Sequence, residues 1–154
     1  MNGLDKFTVM SQEAIQGAHA KAEELRHQSL LPEHLLWVFL SQEENIVNPV
    51  LAKIGSDTAR IREELDTVLA RIPRVEGGGE VFMSSDLRDV FRIARQEAKK
   101  LKDDYISTEH LLLGILKGAA GEARQILESN GVDQDAFLKA LATVRGSHRI
   151  TDPE

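Results

Sequence analysis

The sequence contains no cysteine among its 154 residues, and aromatic residues make up only 5% of it. Without cysteine, the chain can form neither a disulfide framework nor a thiolate metal site, and it has no cysteine nucleophile. No apolar run approaches the roughly 18 residues of a membrane span, and the N-terminus MNGLDKFTV lacks the apolar segment of a signal peptide. We therefore expect a cytoplasmic protein with no membrane partner.

Positive charge is also scarce, because 19 Lys and Arg residues face 25 Asp and Glu residues, giving a net charge of −6. Binding to a phosphate backbone requires a basic face, so we expect no nucleic-acid partner. The apolar fraction of 42% suits one compact domain with a substantial core.

Motifs for catalysis and for phosphate binding are missing as well. His34 and His110 are followed by LLWV and LLLG, where a zinc protease needs a glutamate and a second histidine. There is no Gly-x-Ser-x-Gly elbow and no loop ending in Gly-Lys-Ser/Thr. We expect neither a catalytic residue nor a metal or cofactor site in this chain, and a free-standing hydrolase is kept only as an alternative.

An internal repeat dominates what the sequence does contain. LPEHLLWVFL at 31–40 returns as STEHLLLGIL at 107–116, and a shift of 76 residues extends this match without a gap. A period of this kind decides the architecture, because each copy is one structural unit. Further identities in this register pair Ala18 with Ala94, Ala22 with Ala98, Leu25 with Leu101, Leu51 with Leu127, Gly55 with Gly131, and Asp57 with Asp133.

Apolar residues recur at helical spacing throughout both copies, which predicts four helices in each copy. We therefore expect an all-α domain of eight helices with pseudo-twofold symmetry. The helix boundaries are marked by residues of suitable type: Thr8 and Ser84 as caps of the first helix, Pro32 and Ser107 at the start of the second, Gly55 and Gly131 after the third, and Asp57 and Asp133 as caps of the fourth.

Two shifts in composition suggest the domain organisation. IPRVEGGGEVF at 72–82 contains a proline and three glycines, and we interpret 73–83 as the connection between repeats at about 8–72 and 84–146. The polar segment after 146 indicates that 1–146 form the domain. We interpret 147–154 as the start of a linker.

The repeated motif itself has a structural explanation. Its leucines predict the buried face of a helix, and Trp37 is expected in the same core. His34 and His110 are interpreted as packed, hydrogen-bonded residues. Glu33 and Glu109 lie in the first helical turn, where the helix dipole favours a carboxylate, so a purely structural role and a functional role both stay open.

Tandem four-helix repeats, each with an x-E-H-L-L-x-x-x-L helix and a following G-x-D turn, resemble the Clp N-terminal domain of Clp-type AAA+ unfoldases. The resemblance covers nearly the whole chain, and the segments LARIPRVEGGGEVFMSSDL and VRGSHRITDPE are similar to those of the disaggregase members. It implies a non-catalytic, substrate-handling domain. ATP and magnesium would bind in ATPase modules outside this chain, which would assemble into a hexameric ring.

The family resemblance also implies partners and a binding surface. The partners are unfolded or aggregated client proteins, whose exposed apolar segments the domain would deliver to the pore of the ring. The implied surface comprises Thr8, Asp103 and Glu109, with Tyr105 in the adjacent loop. We expect an acidic rim beside an apolar groove that favours apolar and basic clients. The proposed lining residues of the groove are Leu87, Phe91, Ile93 and Tyr105.

A second function within the family is a module that reads clients tagged with phosphoarginine, or that docks adaptor proteins. It requires glutamates at both symmetry-related positions, and Glu33 and Glu109 are present. Pairing of a carboxylate with a guanidinium group is chemically sound. Free phosphoarginine distinguishes this function from that of a disaggregase domain, which should ignore it.

Overall fold

The computed structural model describes residues 4–118, 120–146 and 148–154. Within these residues the chain forms eight α-helices and a short 3-10 helix at Leu4–Lys6. The predicted all-α, eight-helix fold is therefore confirmed. The helices are α1 (Val9–Glu24), α2 (Pro32–Ser41), α3 (Val47–Ile54), α4 (Thr58–Arg71), α5 (Ser85–Lys100), α6 (Thr108–Lys117), α7 (Gly121–Ser129) and α8 (Gln134–Arg145).

The helix bounds follow the sequence repeat closely in the first half of each copy. Helices α1 and α5 begin and end at residues separated by the 76-residue shift, and so do α2 and α6. The third and fourth helices of each copy deviate from this register by one or two residues at some of their ends. The repeated sequence therefore encodes a repeated helical unit.

The predicted helix caps are present. The side chains of Thr8 and Ser84 accept the backbone N–H of the residue three positions on, and Asp57 does the same at α4. Asp133 caps α8 in this way. Gly55 ends α3 in the left-handed conformation with φ 89°, which costs glycine little.

The two repeats interlock through short extended segments before their long helices. Strand β1 (Ser29–Leu30) pairs in parallel with β2 (Phe82–Met83), so the segment before α5 lies along the loop before α2. At the position related by the repeat, an isolated parallel bridge joins Phe7, before α1, to Ile106, before α6. Helix α3 packs on α8 and α4 packs on α7, so each repeat completes the core of the other.

The centre of this core is formed by α2 and α6, as the repeated motif predicts. Leu35, Leu36 and Phe39 of α2 are buried, and so are the leucines of α6. Leu40 and Trp37 are partly buried and pack against this core, so Trp37 lies at the edge of the core and not inside it. The indole Nε1–H reaches outward to Asp66 Oδ1 at 2.9 Å, because a tryptophan ring is amphipathic.

Candidate functional site

The C-terminal ends of α1 and α5 direct two symmetry-related side chains, His27 and Asp103, towards the interior. Arg26 and Lys102 adopt the left-handed conformation, with φ of 58° and 59°. The residue after each of them donates its backbone N–H to the preceding helix. His27 donates to the Ala22 carbonyl and Asp103 donates to the Ala98 carbonyl, each at 2.9 Å. This Schellman geometry turns His27 and Asp103 into the interior.

Both histidines of the repeated motif accept a backbone N–H at the start of their helix. His34 Nδ1 accepts from Leu31 at 3.0 Å, and His110 Nδ1 accepts from Ser107 at 2.8 Å. Because Nδ1 is the acceptor, the Nε2 atom carries the proton in the neutral ring. The prediction of packed, hydrogen-bonded histidines is confirmed.

The partner of that Nε2 atom differs between the two repeats. In the first repeat, His34 Nε2 lies 2.8 Å from Nδ1 of His27. The pKa of His34 is lowered to about 4, mainly by burial and in smaller part by the nearby charges of His27 and Lys21. In the second repeat, His110 Nε2 lies 2.7 Å from Oδ2 of Asp103. The repeats thus hold a neutral histidine pair and a charged cluster at equivalent places.

The Asp103 carboxylate is the centre of this charged cluster. Arg145 contacts it with Nη1 and Nη2 at 2.8 and 2.7 Å, and the N–H of Ile150 donates to Oδ1 at 2.8 Å. Burial alone raises the pKa of Asp103, but the hydrogen bonds from Arg145, Ile150 and His110 outweigh it and hold the pKa below its usual value. Asp103 is therefore a buried, ionised and fully partnered group.

Glu109 lies beside the same guanidinium group but is bonded differently. Its side chain is 0% exposed, and Oε2 is 3.6 Å from Arg145 Nη1. Neither carboxylate oxygen has a hydrogen-bond partner within the part of the chain that the structure describes. A buried carboxylate ordinarily accepts several hydrogen bonds, so these oxygens have unused capacity for an N–H donor.

Glu33, the symmetric equivalent of Glu109, has a partner. Its Oε2 accepts the backbone N–H of Ala123 at 2.9 Å, in the first turn of α7. Burial raises the pKa of Glu33, the Ala123 hydrogen bond opposes that rise, and the charges of Glu122 and Asp86 add to it. Glu33 therefore acts as a cap for a helix of the other repeat.

A cleft of about 640 Å³ opens between the N-terminal ends of α1 and α6, and we call it the α1/α6 cleft. Glu109 lines it, and so does Thr8, whose hydroxyl is used for capping. The further lining residues are Val9, Met10, Glu13, Glu44, Asn45, Ile46, Ser107, Thr108, Arg149, Ile150, Thr151, Asp152 and Glu154.

The segment 148–154, which we call the tail, runs along this cleft. The carbonyl of Ile150 accepts the N–H groups of Asp104 and Tyr105 at 2.7 and 3.3 Å, and the Pro153 carbonyl accepts the N–H of Val9 at 2.7 Å. These hydrogen bonds join backbone atoms on both sides. The tail is therefore bound to the domain through its main chain.

The structure brings together some of the expected site residues and separates another. Thr8 and Glu109 share the α1/α6 cleft, Asp103 lies behind it, and Tyr105 contacts the tail through its backbone. Glu33 contacts α7 instead. The expectation of an exposed acidic rim is wrong for Asp103 and Glu109, because both carboxylates are buried around Arg145.

The apolar residues expected to line a groove are mostly core residues. Leu87, Phe91 and Ile93 are buried, and the ring of Phe91 packs against Phe7 with centroids 5.6 Å apart. These three side chains face inward because α5 presents this stripe to α6. Tyr105, half-buried, is the one of the four with surface available to a ligand.

Sequence reasoning missed Arg145 and the tail as parts of this site. The repeat gives no indication of Arg145, because the equivalent position holds Leu69. A basic residue in the last turn of α8 is usually explained by the helix dipole. Neither the repeat nor its place in α8 therefore distinguishes Arg145 from an ordinary surface residue.

Two further properties bear on the class of site. Within residues 4–118, 120–146 and 148–154, no three His, Asp or Glu side chains are placed to hold a metal ion. Among the same residues, none of the helices has the length and apolar character needed to cross a bilayer.

Two interlocked four-helix repeats with an open cleft between them define a class of all-α domains. The family model of the Clp repeat (R) N-terminal domain matches residues 6–145. The chain therefore belongs to the Clp N-terminal domain family. It is similar to the chaperone protein ClpB of Bdellovibrio bacteriovorus, with 38% identity over 149 residues, covering 96% of this chain and 17% of that protein.

Solved structures show the same fold. The Hsp104 N-terminal domain from Candida albicans has a TM-score of 0.85 and 22% identity, covering 97% of both chains. A complex of the ClpV N-domain with a VipB peptide has a TM-score of 0.73 and 19% identity, covering 96% of this chain and 92% of that one. The resemblance inferred from the repeated motif is confirmed, and the chain spans about a sixth of the length of its ClpB relatives.

Proposed function

We propose that this chain is the client-binding N-terminal domain of a cytoplasmic, ATP-dependent protein disaggregase. In this proposal it binds extended apolar segments of unfolded or aggregated proteins and delivers them to the pore of a hexameric ring. ATP and magnesium act in the ATPase modules of that ring, and this chain has a binding role without catalysis.

The observation that carries the proposal is that Glu109 lines the α1/α6 cleft while its buried carboxylate, beside Arg145, accepts no hydrogen bond from the described residues. An N–H donor from a peptide backbone, a lysine or an arginine would complete its hydrogen bonding. Glu13, Glu44, Asp152 and Glu154 line the same cleft and outnumber its basic residue Arg149, which favours apolar clients that carry basic residues. The solved complex of a ClpV N-domain with a VipB peptide supports peptide binding by this fold.

Affinity at one domain is expected to be weak, because clients are extended and heterogeneous. Six domains on a ring would raise the overall avidity by roughly 10²-fold or more. Weak, multivalent capture suits a domain that must release each client to the pore.

The test is a backbone NMR titration with a short synthetic peptide of alternating valine and lysine. We expect shifts at Thr8, Glu109 and the tail, with affinity weakened at least about 5-fold in Glu109→Gln. The matched control is Glu33→Gln, because glutamine there still accepts the Ala123 N–H and lies outside the cleft. Equal losses in both variants, or no shifts at the cleft, would contradict the proposal.

A domain that reads phosphoarginine is the second candidate, because Glu33 and Glu109 occupy equivalent positions. The surroundings of Glu33 favour it less, since Glu122 and Asp86 would repel a phosphate and Ala123 already occupies one carboxylate oxygen. Titration with free phosphoarginine tests it. Shifts at both glutamates would favour the tag reader, and silence there with a response to the peptide would favour the disaggregase domain.

A further inference from the structure

The α1/α6 cleft already contains part of the same chain. We propose that the tail, residues 148–154, is a displaceable occupant of this cleft, and that an extended client segment binds by taking over its backbone contacts. The inference rests on the proposed function and adds its regulation, since the population of the docked tail then sets the apparent client affinity.

The contacts of the tail are of a kind that any extended chain can reproduce. The N–H groups of Val9 and Asp104 donate to tail carbonyls, at 2.7 Å each, and Asp103 Oδ1 accepts the N–H of Ile150. Main-chain contacts give affinity without demanding a particular sequence. A client with a carbonyl and an N–H at the same spacing can therefore replace the tail.

Few side chains hold the tail in place. Ile150 and Pro153 are half-buried, whereas Arg149, Thr151 and Asp152 are exposed. The apolar area that docking removes from water is accordingly small. A client segment with several apolar residues can bury more surface in the same cleft.

Charge also makes the tail a poor match for its own cleft. The tail contributes Asp152 and Glu154, together with the single basic residue Arg149, to a cleft that Glu13 and Glu44 also line. Like charges gathered in one cleft oppose docking, whereas a basic client would meet opposite charge. The electrostatic balance therefore favours exchange of the tail for an apolar, basic segment.

Arg145 fixes the point from which the tail departs. Its Nη2 and Nε atoms donate to the carbonyl of His148 at 2.6 and 3.2 Å, while the same guanidinium group holds Asp103. The start of the tail is thus anchored to the cluster behind the cleft. Displacement is expected from Ile150 onward, with His148 retained.

Tail docking can be measured without any client, by backbone amide exchange. Ile150→Gly removes the half-buried side chain and adds backbone freedom, so the N–H groups of Val9 and Asp104 should exchange faster. The N–H of Thr8 is the internal reference, because it donates to Ile106 and not to the tail. Unchanged exchange at Val9 and Asp104 would overturn the inference.

Client affinity provides the second measurement, with the valine–lysine peptide as probe. If the tail is docked about nine-tenths of the time, Ile150→Gly should raise the affinity about 10-fold. Glu154→Lys relieves like-charge repulsion in the cleft and should lower the affinity by strengthening docking. Glu63→Lys, an exposed position on α4, is the control with the same change in net charge.

The outcomes separate the inference from the function on which it rests. In the wild-type chain, saturating peptide should move the Ile150 amide signal towards its random-coil position. The peptide could instead bind at Thr8 and Glu109 without moving the Ile150 signal and with equal affinity in Ile150→Gly. That result would be consistent with the proposed function but would overturn displacement of the tail. Absence of peptide binding in every variant would remove the proposed function, and the inference with it.

Discussion

Arg145 and Asp103 form a bidentate ion pair, with Nη1 2.8 Å from Oδ2 and Nη2 2.7 Å from Oδ1. The side chain of Arg145 is 7% exposed and that of Asp103 is 0% exposed. Removing one partner of a buried pair leaves an uncompensated charge. We therefore expect Arg145→Leu, which places here the residue type of the equivalent position in the first repeat, to lower the free energy of unfolding by about 3–5 kcal/mol in urea.

Two variants sharpen this first prediction. Arg145→Lys keeps the charge but loses the fork geometry, so its loss should be smaller than that of Arg145→Leu. Arg71→Ala breaks an exposed pair with Glu122 and should cost less than about 1 kcal/mol. A loss in Arg145→Leu no larger than in Arg71→Ala would show that the buried cluster is not needed for folding.

Glu109 is expected to matter little for stability. Glu109→Gln removes a buried charge without hydrogen bonds, and the lower desolvation cost offsets the lost ion pair with Arg145. The free energy of unfolding should change by less than about 1 kcal/mol. Asp103→Asn is the contrast, since it disrupts a carboxylate with four donors and should cost about 3 kcal/mol. Urea unfolding of both variants measures the difference, and a larger loss in Glu109→Gln than in Asp103→Asn would reverse the assignment.

Close helix contact predicts different effects of alanine at two glycines. A Cβ at Gly114 of α6 would collide with the carbonyl oxygen of Val90 and lie 2.9 Å from its Cγ1, so Gly114→Ala should destabilise by about 1–3 kcal/mol. A Cβ at Gly17 of α1 would lie 3.2 Å from Val38 Cγ1, the end of a side chain.

Gly17→Ala is therefore the matched control for Gly114→Ala. The gain in helix propensity, up to about 1 kcal/mol, should offset the adjustment of Val38 and leave the melting temperature nearly unchanged. A large drop in both variants would indicate that neither helix pair can adjust.

Much of the fold could be predicted from the sequence, because the repeat and the helix caps are local signals. The 76-residue register predicted equivalent helices, and Thr8, Ser84, Asp57 and Asp133 cap the helices that it placed. These signals act within a few residues of chain, so no tertiary information is needed to interpret them.

The arrangement of the site was less predictable, because it depends on contacts between distant segments. Asp103 and Arg145 are 42 positions apart and meet only after α8 packs in place. A loop aspartate is ordinarily solvated, so sequence alone did not predict its burial. Apolar periodicity is the same for residues that fill a core and residues that line a groove. For this reason the pattern predicts a groove at Leu87 and Phe91, which are core residues.

The histidine pair of the first repeat predicts a loss of stability in mild acid. His34 is buried with its pKa lowered to about 4 from an ordinary value of 6.5. Between these values the unfolded chain binds more protons than the folded chain, so stability is present above pH 6.5 and is lost as the pH falls towards 4. We expect about 2 kcal/mol to be lost between pH 7 and pH 5, as measured by urea unfolding at each pH.

His34→Gln tests whether this residue is the source of the loss. Glutamine is a usual residue at the third position of a capping box and does not titrate, so the variant should show a shallower dependence on pH. Burial also lowers the pKa of His27, which acts in the same direction, whereas the raised pKa of Glu33 acts in the opposite one. The Glu33→Gln background removes that opposing effect. In it, the free energy of unfolding should fall more steeply between pH 7 and pH 5. A wild-type stability that stays flat from pH 7 to pH 5 in this background would contradict a neutral, buried His34.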